Sequence, residues 1–295
     1  MRRVLKWIGI ILGGIAGLLV IAVAVLYVIG YQKLTNSQQY KATDNFTVPT
    51  SPEAVARGQY LVNSTAGCFG CHGDGAKGNI FSDGLPFGTL AAPNLTSGRG
   101  GIGGIMTDAD WNRAIRHGIG HDGRLLLIMP AEHFSHLSDA DLGAVVAYVK
   151  TLPPMDNPVP TRSLALPAYL FVGSGMFKTG AEQIDHSAAH PASVPPAETA
   201  DYGAYIVELA TCRDCHGPNL TGQTDGGGGA PAGPNISPTG EVGAWTKEQF
   251  INTIRTGLNP AGHQLSDDMP WKVFQNMNDT DLGAVYAYLH SLPAK

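Results

Sequence analysis

Two five-residue segments of the sequence share one pattern, Cys68-Phe69-Gly70-Cys71-His72 and Cys212-Arg213-Asp214-Cys215-His216. They contain all four cysteines of the 295-residue chain, and each places a histidine directly after the second cysteine. On a helix, residues three apart are neighbours on one face. The two segments therefore predict two sites, each of which needs two thiols and an imidazole side by side.

This spacing is the attachment signature of c-type haem. The two thiols can bond to the two vinyl groups of one haem, and the adjacent histidine can bind its iron. We therefore expect two covalently bound haem c groups. The attachment and iron-binding residues are Cys68, Cys71 and His72 for the first haem and Cys212, Cys215 and His216 for the second.

Three other uses of the cysteines compete with this interpretation. A disulfide within each pair suits an exported protein but gives the histidines no role. A structural zinc site would bring two such pairs together in one unit, whereas here the pairs lie about 144 residues apart. A thioredoxin-like redox pair needs a βαβ context, which the sequence does not indicate.

The chain after residue 50 contains an internal repeat, with copies at 51–154 and 199–295. Their closing stretches match closely, as Leu-Ser-Asp-Ala-Asp-Leu-Gly-Ala-Val at 137–145 and Met-Asn-Asp-Thr-Asp-Leu-Gly-Ala-Val at 277–285. Each copy has one cysteine motif. The repeat predicts two domains of similar fold, at 51–154 and 199–295.

Each copy is expected to form three helices joined by glycine-rich loops, which makes the fold class all-α. The last helix of each copy has apolar residues at helical spacing, and no segment alternates apolar and polar residues comparably. Capping residues mark the helix ends. The predicted starts are Ser51, Thr107 and Ser138 in the first copy and Thr199, Thr246 and Asn278 in the second, with stops at Gly118 and Gly257.

An uncharged run from residue 7 to 31 predicts a transmembrane anchor over 1–33, followed by a linker at 34–50. Three basic residues among the first six positions place that end in the cytoplasm. The haem domains then lie on the periplasmic side of the bacterial inner membrane. The alternative is a cleaved signal peptide with its cleavage site at Ala22-Val23-Ala24. Gly9, Gly13 and Gly17 recur every four residues. They form a helix-packing face, or they only reflect the frequent glycines of such helices.

The segment 155–198 between the copies is expected to be an interdomain linker or strap. Its proline-rich ends predict an extended chain. Its apolar middle, 164–177, is expected to pack on a domain rather than to hang free.

A Met-Pro pair follows each cysteine motif and supplies the candidate second iron ligand. Met129 lies 57 residues after His72, and Met269 lies 53 residues after His216. A thioether ligand raises the reduction potential of a haem. Other candidates stay open at this stage. They are Met106, His117, His121, His133 and His136 in the first copy and His263 and Met277 in the second.

Each copy resembles a class I c-type cytochrome domain, and the whole chain is similar to membrane-anchored dihaem cytochromes c. It also resembles the cytochrome subunits of periplasmic membrane-bound dehydrogenases. The glycine and aromatic residue of the family's first helix match Gly58-Gln59-Tyr60 and Gly203-Ala204-Tyr205, and the aromatic residue of its last helix matches Tyr148 and Tyr288. The resemblance implies that these helices cross at a small–aromatic contact.

The same resemblance implies a partner for each haem histidine. The family's Pro-Asn-Leu, whose proline carbonyl accepts the histidine Nδ1–H, looks like Pro93-Asn94-Leu95 and Pro234-Asn235-Ile236. Such a bond orients the ligand and tunes the iron. The separations of 21 and 18 residues from the histidines are longer than in the compact family pattern, and Pro218 is a nearer alternative in the second copy.

The resemblance implies an electron carrier rather than an enzyme, with no catalytic residue of its own. We expect redox protein partners in a respiratory or other membrane complex. A net charge of −5 makes a nucleic-acid partner unlikely on electrostatic grounds, and 43% hydrophobic residues exclude a disordered chain. The alternative function is a dihaem peroxidase, which needs one haem with an open or displaceable ligand.

Overall fold

A long apolar helix precedes the two repeats. The computed structural model describes residues 2–40, 46–224 and 231–294. Helix α1, Arg2–Thr35, is the one helix among them that is long and apolar enough to cross a membrane. Its 34 residues extend about 51 Å at 1.5 Å per residue, more than the ~30 Å of a bilayer core. The helix ends at Thr35, two residues after the expected end of the anchor at residue 33.

The first repeat is built from helices and one small sheet. Its helices are α2 (Pro52–Asn63), α3 (Cys68–His72), α4 (Asp108–His117), α5 (Ala131–Phe134) and α6 (Asp139–Lys150). Its strands are β1 (Asn79–Ser82) and β2 (Gly88–Ala92), and a 3₁₀ turn covers Asp74–Ala76.

The second repeat has the same helices in the same order. They are α8 (Ala200–Leu209), α9 (Cys212–His216), α10 (Lys247–Thr256), α11 (Trp271–Phe274) and α12 (Asp279–Ser291), with a 3₁₀ turn at Glu241–Ala244. Each repeat thus holds the three predicted long helices and two short ones. The short helices carry the cysteine motif and the segment after each Met-Pro pair.

The predicted helix ends are confirmed, because capping depends on local sequence. Thr107 and Thr246 form reciprocal capping boxes with Asp110 and Gln249. Side chains also cap the other predicted starts, at Ser51, Ser138, Thr199 and Asn278. Gly118 and Gly257 end the middle helices in the left-handed conformation.

The first and last helices of each repeat cross at a glycine. A Cβ built at Gly58 would collide with the carbonyl oxygen of Ala144 and lie 2.9 Å from Cβ of Tyr148. A Cβ at Gly203 would collide with the carbonyl oxygen of Ala284, 2.7 Å from Cβ of Tyr288. The contact implied by the resemblance is therefore present in both repeats.

The sheet of the first repeat was not predicted. Strands β1 and β2 form an antiparallel hairpin, and β3 (Ser163–Leu164) from the strap adds to β2. The strands are four, five and two residues long, and their burial does not alternate. Such strands lack the period-two signal by which a sequence reveals a sheet.

The strap between the repeats is bound to the first repeat near both ends. Backbone amides of Asp139 and Ala140 donate to the carbonyls of Pro191 and Ala192, and Asn94 donates to the carbonyl of Met155 at 2.7 Å. The strap also contains a 3₁₀ turn at Gly180–Gln183. The proline-rich ends thus contain no helix or strand, and they are hydrogen-bonded to the first repeat.

The apolar middle of the strap forms helix α7, Leu166–Gly173, which packs on α1. The expectation that this segment packs on a domain is confirmed, because Val172 is buried with Ile119 and Leu125 of the first repeat and β3 joins the sheet. The close contact of α7 with α1 was not expected. Composition showed that the segment needs an apolar partner, whereas tertiary structure decides which one.

The C-terminal end of α1 is joined to the first repeat. Leu34 is buried in a small cluster with Ile119 and Leu125, and Lys33 forms a 2.8 Å ion pair with Glu182. A further 3₁₀ turn, Ser37–Gln39, follows the helix. Among the described residues, none lies within 4 Å of a Cβ built at Gly9, Gly13 or Gly17, so this stripe of α1 contacts no part of the chain that the structure describes.

Candidate haem sites

The two cysteine motifs form equivalent one-turn helices, α3 and α9. Each helix is preceded by a residue in the left-handed conformation, Gly67 and Thr211. All four cysteines are free of disulfides. Burial raises the pKa of Cys68 and of Cys212 to about 12. Reactive redox thiols and zinc ligands need stabilised thiolates, so the surroundings of these two thiols do not favour either alternative.

Each motif histidine is held in one orientation by a proline carbonyl. Nδ1 of His72 lies 2.9 Å from the carbonyl oxygen of Pro93, and Nδ1 of His216 lies 2.7 Å from that of Pro234. A carbonyl only accepts, so Nδ1 carries the proton and Nε2 keeps a lone pair. Burial lowers the pKa of both histidines, which keeps the imidazoles neutral. A neutral imidazole with a free lone pair on Nε2 fits an axial haem ligand.

The nearer alternative, Pro218, does not contact the haem histidine in this way. Its carbonyl accepts from Arg213 instead. The longer separation in the first repeat has a structural cause, because the β1–β2 hairpin lies between His72 and Pro93. Backbone bonds from Gly78 to His72 and from Gly222 to His216 close equivalent loops in the two repeats.

Both Met-Pro pairs enter the same local structure. Pro130 and Pro270 stand at the N-termini of α5 and α11, and the carbonyls of Met129 and Met269 each accept from the amide two residues later at 2.8 Å. Each methionine is half-buried against the core of its own repeat. Their equivalent placement suits equivalent roles, and iron ligation by the two thioethers stays a prediction.

The alternative ligands are placed differently. Met106 and Met277 are 7% and 3% exposed and belong to the two apolar cores. His133 has both ring nitrogens engaged by carboxylates, and Nδ1 of His117 lies 2.9 Å from Nδ1 of His186. The remaining candidates are at the surface, namely His121, His136 and His263.

A reciprocal pair of tyrosines, which the sequence did not reveal, joins the two repeats. Tyr60 of α2 donates to Asp281 of α12 at 2.7 Å and accepts from the amide of Asn278 at 2.9 Å. In the mirror arrangement, Tyr205 of α8 donates to Asp141 of α6 at 2.7 Å and accepts from the amide of Ser138 at 3.2 Å. Each first helix therefore binds the beginning of the other repeat's last helix.

The two aspartates of this contact also bind within their own repeats. Arg57 donates to both oxygens of Asp141, at 2.8 and 3.0 Å, and Tyr202 donates to Asp281 at 3.1 Å. The carboxylates are 5% and 0% exposed. The available signal was an aspartate at the same position of both closing stretches, directly before the apolar Leu-Gly-Ala-Val, since a buried carboxylate needs partners.

His133 links α5 of the first repeat to the second cysteine motif. Its two ring nitrogens lie 2.8 Å from Glu208 of α8 and 2.8 Å from Asp214, which stands between Cys212 and His216. Burial disfavours the charged imidazolium, but the two carboxylates outweigh it and raise the pKa of His133 to about 10. A positive charge is therefore fixed between the segment after Met129 and the second motif.

Comparison with known proteins agrees with this geometry. The family model described as cytochrome c oxidase, cbb3-type, subunit III matches residues 53–149 and again 198–289, which together are well over half of the chain. The chain belongs to this family of c-type cytochromes. Such proteins bind haem c and transfer electrons.

Several curated relatives of this cytochrome are dehydrogenase subunits. The fructose dehydrogenase cytochrome subunit of Gluconobacter japonicus is 30% identical over 84% of the chain and 55% of that protein. The gluconate 2-dehydrogenase cytochrome c subunit of Pantoea cypripedii is 30% identical over 82% of the chain and 60% of that protein. The chain thus spans little more than half the length of these two relatives.

A third relative of the cytochrome has a more similar length. The diheme cytochrome c-type protein of Cereibacter sphaeroides is 29% identical over 77% of the chain and 82% of that protein. Taken together, the relatives show that the chain resembles electron-transfer subunits of dehydrogenases rather than their catalytic subunits.

Proposed function

We propose that this cytochrome carries single electrons through two haem c groups at the outer face of the bacterial cytoplasmic membrane. The observation that supports it best is the duplication of one complete donor arrangement. In each repeat a cysteine pair, a histidine oriented by a proline carbonyl and a methionine before proline occupy equivalent places. Two haem domains, 51–154 and 199–295, follow from this duplication.

The chain's own residues would hold and adjust each haem. When bound, haem supplies the one-electron chemistry of its iron. The proline carbonyls fix the histidine tautomer and orient Nε2, and the half-buried methionines would complete the coordination. The residues of the first site are Cys68, Cys71, His72, Pro93 and Met129, and those of the second are Cys212, Cys215, His216, Pro234 and Met269.

The haem count tests the duplication. The native chain is expected to carry two haems, measured by intact mass and by the absorbance of the pyridine complex. Replacing Cys212 and Cys215 with alanine should leave one haem, and the matched change of Cys68 and Cys71 should leave the other. A native chain with one haem, or a cysteine variant that keeps two, would contradict the proposal.

Helix α1 supports a place at the membrane. Its basic N-terminal end favours the cytoplasmic side, which puts both repeats on the periplasmic side. The relatives support a redox complex as partner, such as a membrane-bound dehydrogenase. Purification from native membranes in mild detergent is expected to recover such a complex, and recovery of the cytochrome alone would count against a stable one.

The peroxidase alternative requires a haem that is open to peroxide. The equivalent placement of Met129 and Met269 favours two closed haems instead. Electron paramagnetic resonance of the oxidised protein should therefore show low-spin iron at both haems. A high-spin signal that disappears when peroxide is added would support the peroxidase.

A further inference from the structure

Helix α7 packs on the membrane anchor through close backbone contact. A Cβ built at Gly30 of α1 would collide with the carbonyl oxygen of Tyr169 and lie 3.1 Å from the amide nitrogen of Gly173. A Cβ at Gly173 would collide with the carbonyl oxygen of Leu26. Two glycines thus bring the helices together, so the position of α7 along α1 is fixed.

That position corresponds to the outer boundary of the membrane. The apolar run of α1 begins at Trp7, and about 20 helical residues cross the hydrocarbon core. Twenty residues counted from Trp7 end at Leu26, where α7 begins its contact. If α1 spans the bilayer, as the proposed function requires, α7 lies at the level of the outer headgroups.

Aromatic residues mark the same level. The rings of Tyr27 and Tyr169 are 5.0 Å apart between centroids, and those of Tyr31 and Tyr169 are 6.2 Å apart. Tyrosine is enriched at the membrane–water interface, where its ring is apolar and its hydroxyl reaches water. One of these tyrosines belongs to the strap, so the aromatic cluster extends from the anchor to α7.

Exposed apolar side chains continue outward from α7. The sequence of α7, Leu-Pro-Ala-Tyr-Leu-Phe-Val-Gly, has no charged residue. Leu166 and Phe171 are 48% and 39% exposed, and Phe87 of the β1–β2 hairpin lies beside Phe171 with centroids 5.9 Å apart. Leu85 in the hairpin turn and Met176 after α7 are 86% and 76% exposed. These five residues are called the apolar platform below.

We infer that the apolar platform lies in the outer leaflet of the bilayer and gives the first repeat a second membrane attachment beside α1. Its continuity with the anchor selects lipid as the occupant, because a surface at this depth faces headgroups and acyl chains. The attachment would hold the first repeat against the membrane surface, whereas α1 alone would only tether it to the bilayer. The inference rests on the proposed insertion of α1.

Spin labels on the haem-loaded, full-length chain in phospholipid vesicles test this inference. The native cysteines are consumed by haem, so single cysteines can be introduced and labelled. The platform variants are Leu85→Cys and Met176→Cys, the anchor control is Leu18→Cys, and the aqueous control is Leu258→Cys in the second repeat, which is 44% exposed. The measurement compares relaxation of each label by oxygen, which concentrates in lipid, and by a water-soluble nickel chelate.

The platform labels should have an oxygen-to-nickel ratio several-fold above that of Leu258→Cys and closer to that of Leu18→Cys. If the Leu18 label reports lipid and both platform labels report water, the platform is not embedded, and the inference fails while the anchor stands. A partner protein then becomes the better occupant. If the Leu18 label itself reports water, α1 is not inserted and the proposed location fails.

Discussion

At the scale of single residues, two tyrosine hydroxyls hydrogen-bond the two repeats to each other. Tyr60 and Tyr205 follow the crossing glycines by two positions, and their hydroxyls reach the opposite repeat. Burial raises the pKa of both phenols, and the adjacent aspartates raise it further. Both hydroxyls therefore stay protonated and donate to a buried carboxylate, a stronger bond than one between neutral groups.

Removing the Tyr60 hydroxyl should loosen one half of this contact. We expect Tyr60→Phe to lower the free energy of unfolding by about 1–2 kcal/mol, because Asp281 and the Asn278 amide each lose a partner. Hydrogen exchange read by mass spectrometry should show faster exchange near Asn278. The mirror amide of Ser138, which binds Tyr205, is the internal control. Unchanged exchange near Asn278 would show that the bond contributes nothing.

The charge on His133 should make stability depend on pH. The pKa of His133 is raised in the folded chain to about 10. Its contribution to the free energy of unfolding is therefore complete below the ordinary histidine pKa of about 6.5 and is lost as the pH rises through about 10. Glu208 and Asp214 bind it, Glu132 is a further acidic neighbour, and His136 and Arg213 pair with the same Glu208.

Denaturant unfolding of the native chain and of His133→Gln at several pH values checks this expectation. The native chain should be the more stable by the largest margin near pH 6, with the margin shrinking toward pH 10. The control, His136→Gln, changes a histidine whose side chain is 60% exposed and should show little of this dependence. A margin that grows with pH would mean that His133 is neutral in the fold.

At the scale of elements, the helix crossing at Gly58 is a close backbone contact. We expect Gly58→Ala to destabilise the first repeat by about 1–3 kcal/mol or more, because the added methyl group would meet the Ala144 carbonyl. Gly104→Ala is a matched control, since the nearest atom to its built Cβ is 3.6 Å away. Thermal unfolding of the two haem-loaded variants compares them. Equal melting temperatures would contradict the close crossing.

Local signals in the sequence were sufficient for most helices. Capping residues such as Thr107 and helix-ending residues such as Gly118 act within one turn, so a few neighbouring residues of the sequence are enough to predict their effect. The histidine partners Pro93 and Pro234 came from the family resemblance instead, and the structure has both contacts. Contacts between distant segments had no such signal, which is why the β1–β2 hairpin and the docking of α7 on α1 were missed.

At the scale of the whole molecule, the duplicated chain makes a nearly symmetric contact with itself. Asp141 and Asp281 each accept hydrogen bonds from one side chain of their own repeat and from one tyrosine of the other. The arrangement resembles the isologous interface of a homodimer, formed here between two parts of one chain. This contact holds the two repeats, and with them the two candidate haem sites, in one fixed arrangement.

The chain is proposed to hold two haems of the same type, each with a histidine and a methionine ligand. The most direct test of this proposal is an optical redox titration of the native chain, of Met129→His and of Met269→His. Ile128→His, next to Met129 and 45% exposed, is the matched control.

The native chain should show two one-electron transitions. Each methionine variant should shift one transition downward, on the order of 0.2 V within the roughly 0.8 V range that axial ligands span, and lose its share of the far-red thioether–iron absorption. The control should shift neither transition. Unchanged potentials and absorption in both methionine variants would contradict the account.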